Sequence, residues 1–237
     1  MVVRRRAGEP LQHVVGRWGF RGLDVAVDRR ALVPRPETEL LVDNALAEWD
    51  RLSSGASSGA RYAADLGTGS GVIALSLVTE REVIEVFAVE RSAEALDLAR
   101  ENLSALPEAH RARVHLMGGS WFSALPARLV TKLAIIVSNP PYLAADEWPA
   151  LDAVVRDHDP YDALVAGASG LEAIAHIVRE APAWLAPSGA LVVEIAPWQR
   201  AAVLDLVNDA GGAYGSATVI DDLAGRSRVL VARRAGE

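Results

Sequence analysis

Cysteine is absent from this 237-residue sequence. Its absence excludes disulfides, thiolate metal sites and a cysteine nucleophile. No apolar run approaches the roughly 18 residues a membrane helix needs. The opening stretch MVVRRRAGEPLQ is basic but has no apolar segment behind its arginines, so it is not read as a secretory signal. The five histidines (His13, His110, His115, His158 and His176) show no metal-ligand spacing and are read as structural or surface residues, with no metal expected. There is no internal repeat. These absences fit a cytoplasmic globular enzyme.

What is present is an ordinary globular composition, 51% hydrophobic and 23% charged. Charge is unevenly placed. Residues 1–35 hold eight arginines against three acids, a surplus of five, while the whole chain is −7, so residues 36–237 carry −12. An acidic body disfavours duplex DNA, whose binding rests on neutralised phosphates. The basic start would suit RNA or an acidic partner, or it is simply a solvated arm.

GFRGLDVAVDRRALVPR alternates apolar and polar residues around Gly22, as a hairpin does. RPETELLVDNALAEWD places Leu40, Leu41, Asn44, Ala45 and Trp49 at helical spacing, with Pro36 suited to the first turn. Residues 1–52 therefore read as a hairpin-and-helix extension, and SSGASSGA as a flexible connection over 53–60. From residue 61 to 237 strands and helices alternate. YAADL, VIEVFAV, ARVHLM, KLAIIVS and ALVVEIA are strands; SAEALDLARENL, GLEAIAHIVREAPAWL and QRAAVLDLVNDAG are helices. Repeated βα units predict an α/β, Rossmann-like fold with a mostly parallel sheet covered on both faces. The last two strands, YGSATVI and SRVLVARR, have no helix between them and are expected to pair antiparallel at one edge.

Ligands of such sheets bind beyond the carboxyl ends of the strands. Three marked stretches fall there. DLGTGSG, residues 65–71, is a glycine-rich turn, a cofactor loop or a plain tight turn. Its spacing is not that of the dinucleotide fingerprint, and no Lys-Ser/Thr pair follows to make a P-loop. Glu90 ends the next strand where a ribose-binding acid belongs, or where a carboxylate favours a helix N-terminus. Together they point to a nucleoside-containing cofactor without phosphates, S-adenosylmethionine rather than NAD. The third stretch is Asn139-Pro140-Pro141-Tyr142, in which two prolines end a buried strand because neither has an N–H to donate.

Asn139-Pro140-Pro141-Tyr142 resembles the signature of class I methyltransferases acting on nitrogens conjugated to π systems. VPRPETELLV, GEPLQHVVGRWGFRGLDVAV, DLGTGSGVIALSL, DHDPYDALVAGASGLE and LAGRSRVLVARR narrow the likeness to HemK-type protein-glutamine N5-methyltransferases, which modify peptide-chain release factors. The resemblance covers the chain from Gly8 onward. It implies S-adenosylmethionine as cofactor, S-adenosylhomocysteine as product, and residues 61–237 as the catalytic domain. The family's helical N-terminal domain is not expected in this sequence. Glu90 stands where Asp is commoner, Ser120-Trp121 replaces Asp-Trp, and Ala196-Pro197 replaces a glycine-containing turn.

The resemblance implies cofactor contacts from Asp65, Gly67, Thr68, Gly69, Gly71, Glu90, Trp121 and Asn139. Trp121 would pack on adenine or fill a loop core. The catalytic group would be Asn139, Pro140 and Tyr142: two acceptors for the amide hydrogens and a ring to stack on the planar group. Substrate contacts would add Pro141, Phe20, Arg35, Glu37 and Glu194. Phe20 is also readable as a hairpin core residue, Arg35 and Glu37 as a helix start with a local ion pair, and Glu194 as a polar wall. A glutamine of a release factor or another protein is the first substrate expected. A free amino acid or small metabolite, such as the δ-nitrogen of arginine, is the second, and a nucleic-acid base the third.

Overall fold

The structure, a computed structural model, describes residues 1–53 and 62–236. Two short helices, α1 (Val2–Arg6) and α2 (Leu11–Val15), lead into a hairpin of β1 (Arg17–Phe20) and β2 (Leu23–Ala26). Arg21 and Gly22 between the strands both take positive φ, 47° and 80°, the geometry of a tight turn that matches strand twist. Arg21 is held there by Glu80 at 2.7 Å and Asp43 at 2.6 Å. Arg17 pairs with Asp24 at 2.7 Å, and Arg4 pairs with Glu9. Of these, Arg21 is tied to the helices that carry Asp43 and Glu80, while Arg4 and Arg17 make exposed local pairs.

Helix α3 (Glu37–Ser53) begins directly after Pro36, with Glu37 and Glu39 in its first turn, where the helix dipole favours acids. Its buried face is Leu41, Val42, Ala45, Leu46 and Trp49. Leu40 and Asn44, expected on that face, sit at its margin. Of the connection expected at 53–60, only Ser53 is described, and it closes α3; the rest lies outside the described residues.

Strands β3 (Tyr62–Leu66), β4 (Glu85–Glu90), β5 (Val114–Gly118) and β6 (Leu133–Ser138) alternate with α4 (Val72–Glu80), α5 (Ala93–Ser104) and α6 (Glu108–Arg111). A small parallel pair, β7 (Leu143–Ala144) with β8 (Val165–Gly167), brackets α7 (Ala153–Arg156) and α8 (Tyr161–Leu164). Then come α9 (Glu172–Trp184), β9 (Leu185–Glu194), α10 (Arg200–Asn208), β10 (Tyr214–Asp221) and β11 (Ser227–Arg234). The seven-stranded sheet has the order β10-β11-β9-β6-β3-β4-β5. Six strands run in one direction, and β11 alone reverses, pairing antiparallel with both β9 and the edge strand β10.

Alternation along each strand sorts the core. Ala63, Val86, Ile135 and Val192 face α3 and α4 on one side. Ala64, Phe87, Ile136 and Val193 face α9 and α10 on the other. Each such valine, isoleucine or phenylalanine side chain fully removed from water contributes roughly 1.5–3 kcal/mol. Pro187-Ser188-Gly189, which reads as a turn before the strand, instead forms an irregularity inside β9, where the register with β6 jumps. A Cβ on Gly189 would lie 2.9 Å from the carbonyl oxygens of Ala186 and Leu133, so only glycine fits there. Among the described residues no helix is long and apolar enough to cross a membrane.

Candidate active site

The carboxyl ends of β3, β4 and β6 open into a cavity of about 950 Å³, roofed by residues 29–35 and closed on one side by residues 160–166. Arg91 and Asp162 pair at 3.0 Å across its rim. The floor is the loop after β3. Gly67, Gly69 and Gly71 all take positive φ (76°, 56° and 89°), which lets the chain turn sharply into α4 and leaves its backbone bare toward the cavity. The Gly67 and Thr68 N–H groups donate to the Val89 carbonyl at 2.9 and 3.0 Å, fixing the loop against β4.

Asp65 lies beneath this loop rather than in the cavity. Its Oδ2 accepts from the Thr68 hydroxyl at 2.5 Å and from the Ala74 N–H at 3.2 Å, tying the loop to α4. Burial pushes its carboxyl up to about 7, while those two hydrogen bonds pull it down. Gly71 likewise serves packing: a Cβ there would meet Ala99 of α5 at 3.4 Å. Gly67, Thr68 and Gly69 do line the cavity, with Glu90 and Trp121. Glu90 accepts from the Gly69 N–H through Oε2 and from the Ser92 N–H through Oε1, both at 2.9 Å. Each carboxylate oxygen keeps a second lone pair for a ligand hydroxyl. Trp121 stands 3.5 Å from where a Gly67 Cβ would be, so its ring walls the cavity beside the loop. A bare loop backbone, a carboxylate with free lone pairs and an aromatic wall fit a nucleoside-bearing cofactor.

Asn139 and Pro141 line the cavity as well, at the end of β6 beside β3. The Ser138 hydroxyl donates to the Leu66 carbonyl at 2.6 Å, stapling the end of β6 to the end of β3. The turn that follows is fixed at its far end too. The Tyr142 N–H donates to the Leu164 carbonyl at 3.1 Å, and its carbonyl accepts from Gln199 Nε2 at 3.0 Å. The Asn139 side chain donates through Nδ2 to Thr38 Oγ1 at 3.3 Å. No described residue donates to Asn139 Oδ1 or to the Pro140 carbonyl.

Not every expected residue reaches the cavity. Phe20 is 2% exposed, packs in the core with Val25, Leu41 and Val42, and is not among the residues lining the cavity. Arg35 lines the cavity and pairs with the buried Asp159 at 2.7 Å. Pro140, Tyr142, Glu37 and Glu194 stand behind the lining residues. Glu37 faces Arg228 at 3.5 Å, an ion pair near the helix start. Glu194 ends β9, and its Oε2 has no hydrogen-bond partner. Thr38 and residues 160–166 fall within VPRPETELLV and DHDPYDALVAGASGLE, yet the sequence assigns neither a role at the site. Their approach to the turn is a product of tertiary folding, with no local pattern to announce it.

Burial pushes the Glu194 carboxyl up to about 7, the Thr38 hydroxyl and Arg228 partly offsetting it. The folded state therefore retains a proton that the unfolded chain releases above its ordinary carboxylate range near 4. The stability linked to that proton is fully present below the unfolded value and lost as pH rises toward 7. Glu194→Gln removes the titration. Thermal melts should show the variant gaining several degrees on the wild type between about pH 5 and pH 8, and a constant difference would mean the group is not shifted upward.

The family described as "Methyltransferase small domain" matches residues 43–157. The chain is 41% identical over 236 residues to a release factor glutamine methyltransferase of Xylella fastidiosa (strain 9a5c), covering 100% of this chain and 80% of that protein. It is 42% identical over 237 residues to one of Deinococcus radiodurans, covering 99% and 78%. Among solved structures, a methyltransferase from Pyrococcus furiosus matches with a TM-score of 0.58 at 20% identity over 99% of both chains. The Mtq2–Trm112 complex of E. cuniculi matches with a TM-score of 0.55 at 18% identity, over 87% of this chain and 99% of that one. Likenesses at those identities speak to the fold, which is that of class I methyltransferases.

Proposed function

Because the chain belongs to the release factor glutamine methyltransferase family, we propose that it methylates the side-chain N5 of a glutamine in a release factor, with S-adenosylmethionine as donor. The observation that carries this reading is the turn over residues 139–142, where Asn139 lines the cavity with an Oδ1 that no described residue donates to, on a backbone pinned at both ends. A carboxamide nitrogen is a poor nucleophile, since its lone pair is delocalised into the carbonyl. Asn139 Oδ1 and the Pro140 carbonyl accept its two hydrogens and so set its position and plane. They also favour the positive charge that develops on it.

The rigid prolines hold both acceptors in place before substrate arrives, which is electrostatic preorganisation combined with orientation. Bound between the glycine loop, Glu90 and Trp121, S-adenosylmethionine supplies an electrophilic methyl group. Gly67 and Gly69 admit its methionine portion, and Glu90 accepts from its ribose hydroxyls. Tyr142 braces the turn through its backbone. No strong general base is needed, because an N-protonated amide sheds its proton readily. A release factor as substrate places the reaction in the cytoplasm, where translation terminates.

The test is transfer of labelled methyl from S-adenosylmethionine into a panel of release factor, free arginine, free glutamine and tRNA. Label is expected in the release factor. Label confined to free arginine would replace the substrate, and label confined to tRNA would overturn the amide reading.

A further inference from the structure

We propose that Thr38 is the positioning residue for Asn139, its hydroxyl deciding which end of the Asn139 amide faces the substrate. The inference rests on the acceptor role given to Asn139 above. An asparagine amide has a donor end and an acceptor end of nearly equal shape, and only the acceptor end can take a substrate N–H. Shape alone does not choose between them.

The neighbours do choose. Asn139 Nδ2 donates to Thr38 Oγ1 at 3.3 Å, which turns Oδ1 away from Thr38 and leaves it free at the cavity wall. Thr38 can accept from Nδ2 only while its own proton points elsewhere. Glu194 offers that direction: its buried Oε2 has no hydrogen-bond partner, and the Thr38 hydroxyl favours its charged form. Thr38 and Glu194 are each 3% exposed, so water does not scramble the sequence. Substrate N–H donates to Asn139, and Asn139 donates to Thr38, with the unpartnered Glu194 Oε2 as the acceptor open to the Thr38 proton. Arg228, Arg35, Glu37 and Tyr142 are the other charged or titratable groups facing Glu194. Thr38 itself is fixed at the start of α3 by its N–H, which donates to the Arg35 carbonyl at 3.1 Å.

Thr38→Val keeps the shape and removes the hydroxyl, and Thr38→Ala repeats the comparison should Val not fold. The expected result is a kcat about five- to tenfold lower, the weight of one hydrogen bond, with cofactor affinity unchanged. Thr38→Ser should restore turnover. The discriminating background is Asn139→Asp, which retains part of the activity. A carboxylate has no donor end to misplace, so adding Thr38→Val there should change kcat by no more than about twofold. Equal losses in both backgrounds would overturn the proposal, as would a loss confined to cofactor affinity. Wild-type kcat in Thr38→Val beside an inactive Asn139→Ala would also overturn it, leaving the methyltransferase mechanism intact. Wild-type turnover in Asn139→Ala would instead remove the acceptor role on which the inference stands.

Discussion

Asn139→Ala is expected to lower methyl transfer by about two to three orders of magnitude, the usual cost of losing one preorganised polar contact to a developing charge. The side chain lines the cavity from a turn stapled to β3 at Ser138 and held at Tyr142 by Leu164 and Gln199. Those anchors do not pass through the Asn139 side chain, so truncation should leave the backbone in place. The Pro140 carbonyl would still hold one amide hydrogen, but the nitrogen would rotate about that single contact. Cofactor affinity should stay within a few-fold, since the hydrogen bonds that hold the glycine loop and Glu90 do not involve Asn139. Single-turnover assays with calorimetry on the same protein separate the two. Loss of cofactor binding in step with turnover would assign Asn139 to the cofactor instead.

Glu90→Ala should weaken S-adenosylmethionine binding by about ten- to a hundredfold, from hydrogen bonds to a charged group that contribute roughly 1.5–3 kcal/mol. Its two oxygens also hold the N–H groups of Gly69 and Ser92, so the variant frees the loop as well as the ribose hydroxyls. Glu90→Asp, with a shorter reach, should recover part of the affinity. Gly69→Val tests the same loop by another route. A Cβ at Gly69 has room, its nearest neighbour being Ala31 Cβ at 4.0 Å, so the damage comes from the positive φ of 56°. Calorimetry should show tenfold weaker binding there too. Unchanged affinity in both Glu90→Ala and Gly69→Val would mean the cofactor lies elsewhere.

The sequence made the alternation of strands and helices legible because each element carries its own period. YAADL, KLAIIVS and SRVLVARR became β3, β6 and β11 with small shifts at their ends. The marked stretches after β3, β4 and β6 also converged, since parallel strands place their carboxyl ends side by side. Less was legible wherever a residue's role depends on a neighbour distant in sequence. Phe20 has the character of a pocket aromatic, yet the hairpin turns it into the core against α3. Thr38 is one short polar residue among the charges of PRPETE, and only folding sets it between Asn139 and Glu194, about 100 and 156 residues away. The irregularity at Ser188 and Gly189 was hidden because proline, serine and glycine in a row read as a turn. In the structure they let β9 extend along β6 to Leu133.

The most direct measurement is the position of the transferred methyl group. A release factor incubated with the protein and S-adenosylmethionine, digested and sequenced by tandem mass spectrometry, should carry a methyl group on a glutamine side-chain nitrogen. The modification should vanish, or nearly so, when the Asn139→Ala protein is used. A methyl group on a carboxylate oxygen or an arginine nitrogen, or one that persists undiminished without the Asn139 side chain, would contradict amide methylation at this turn.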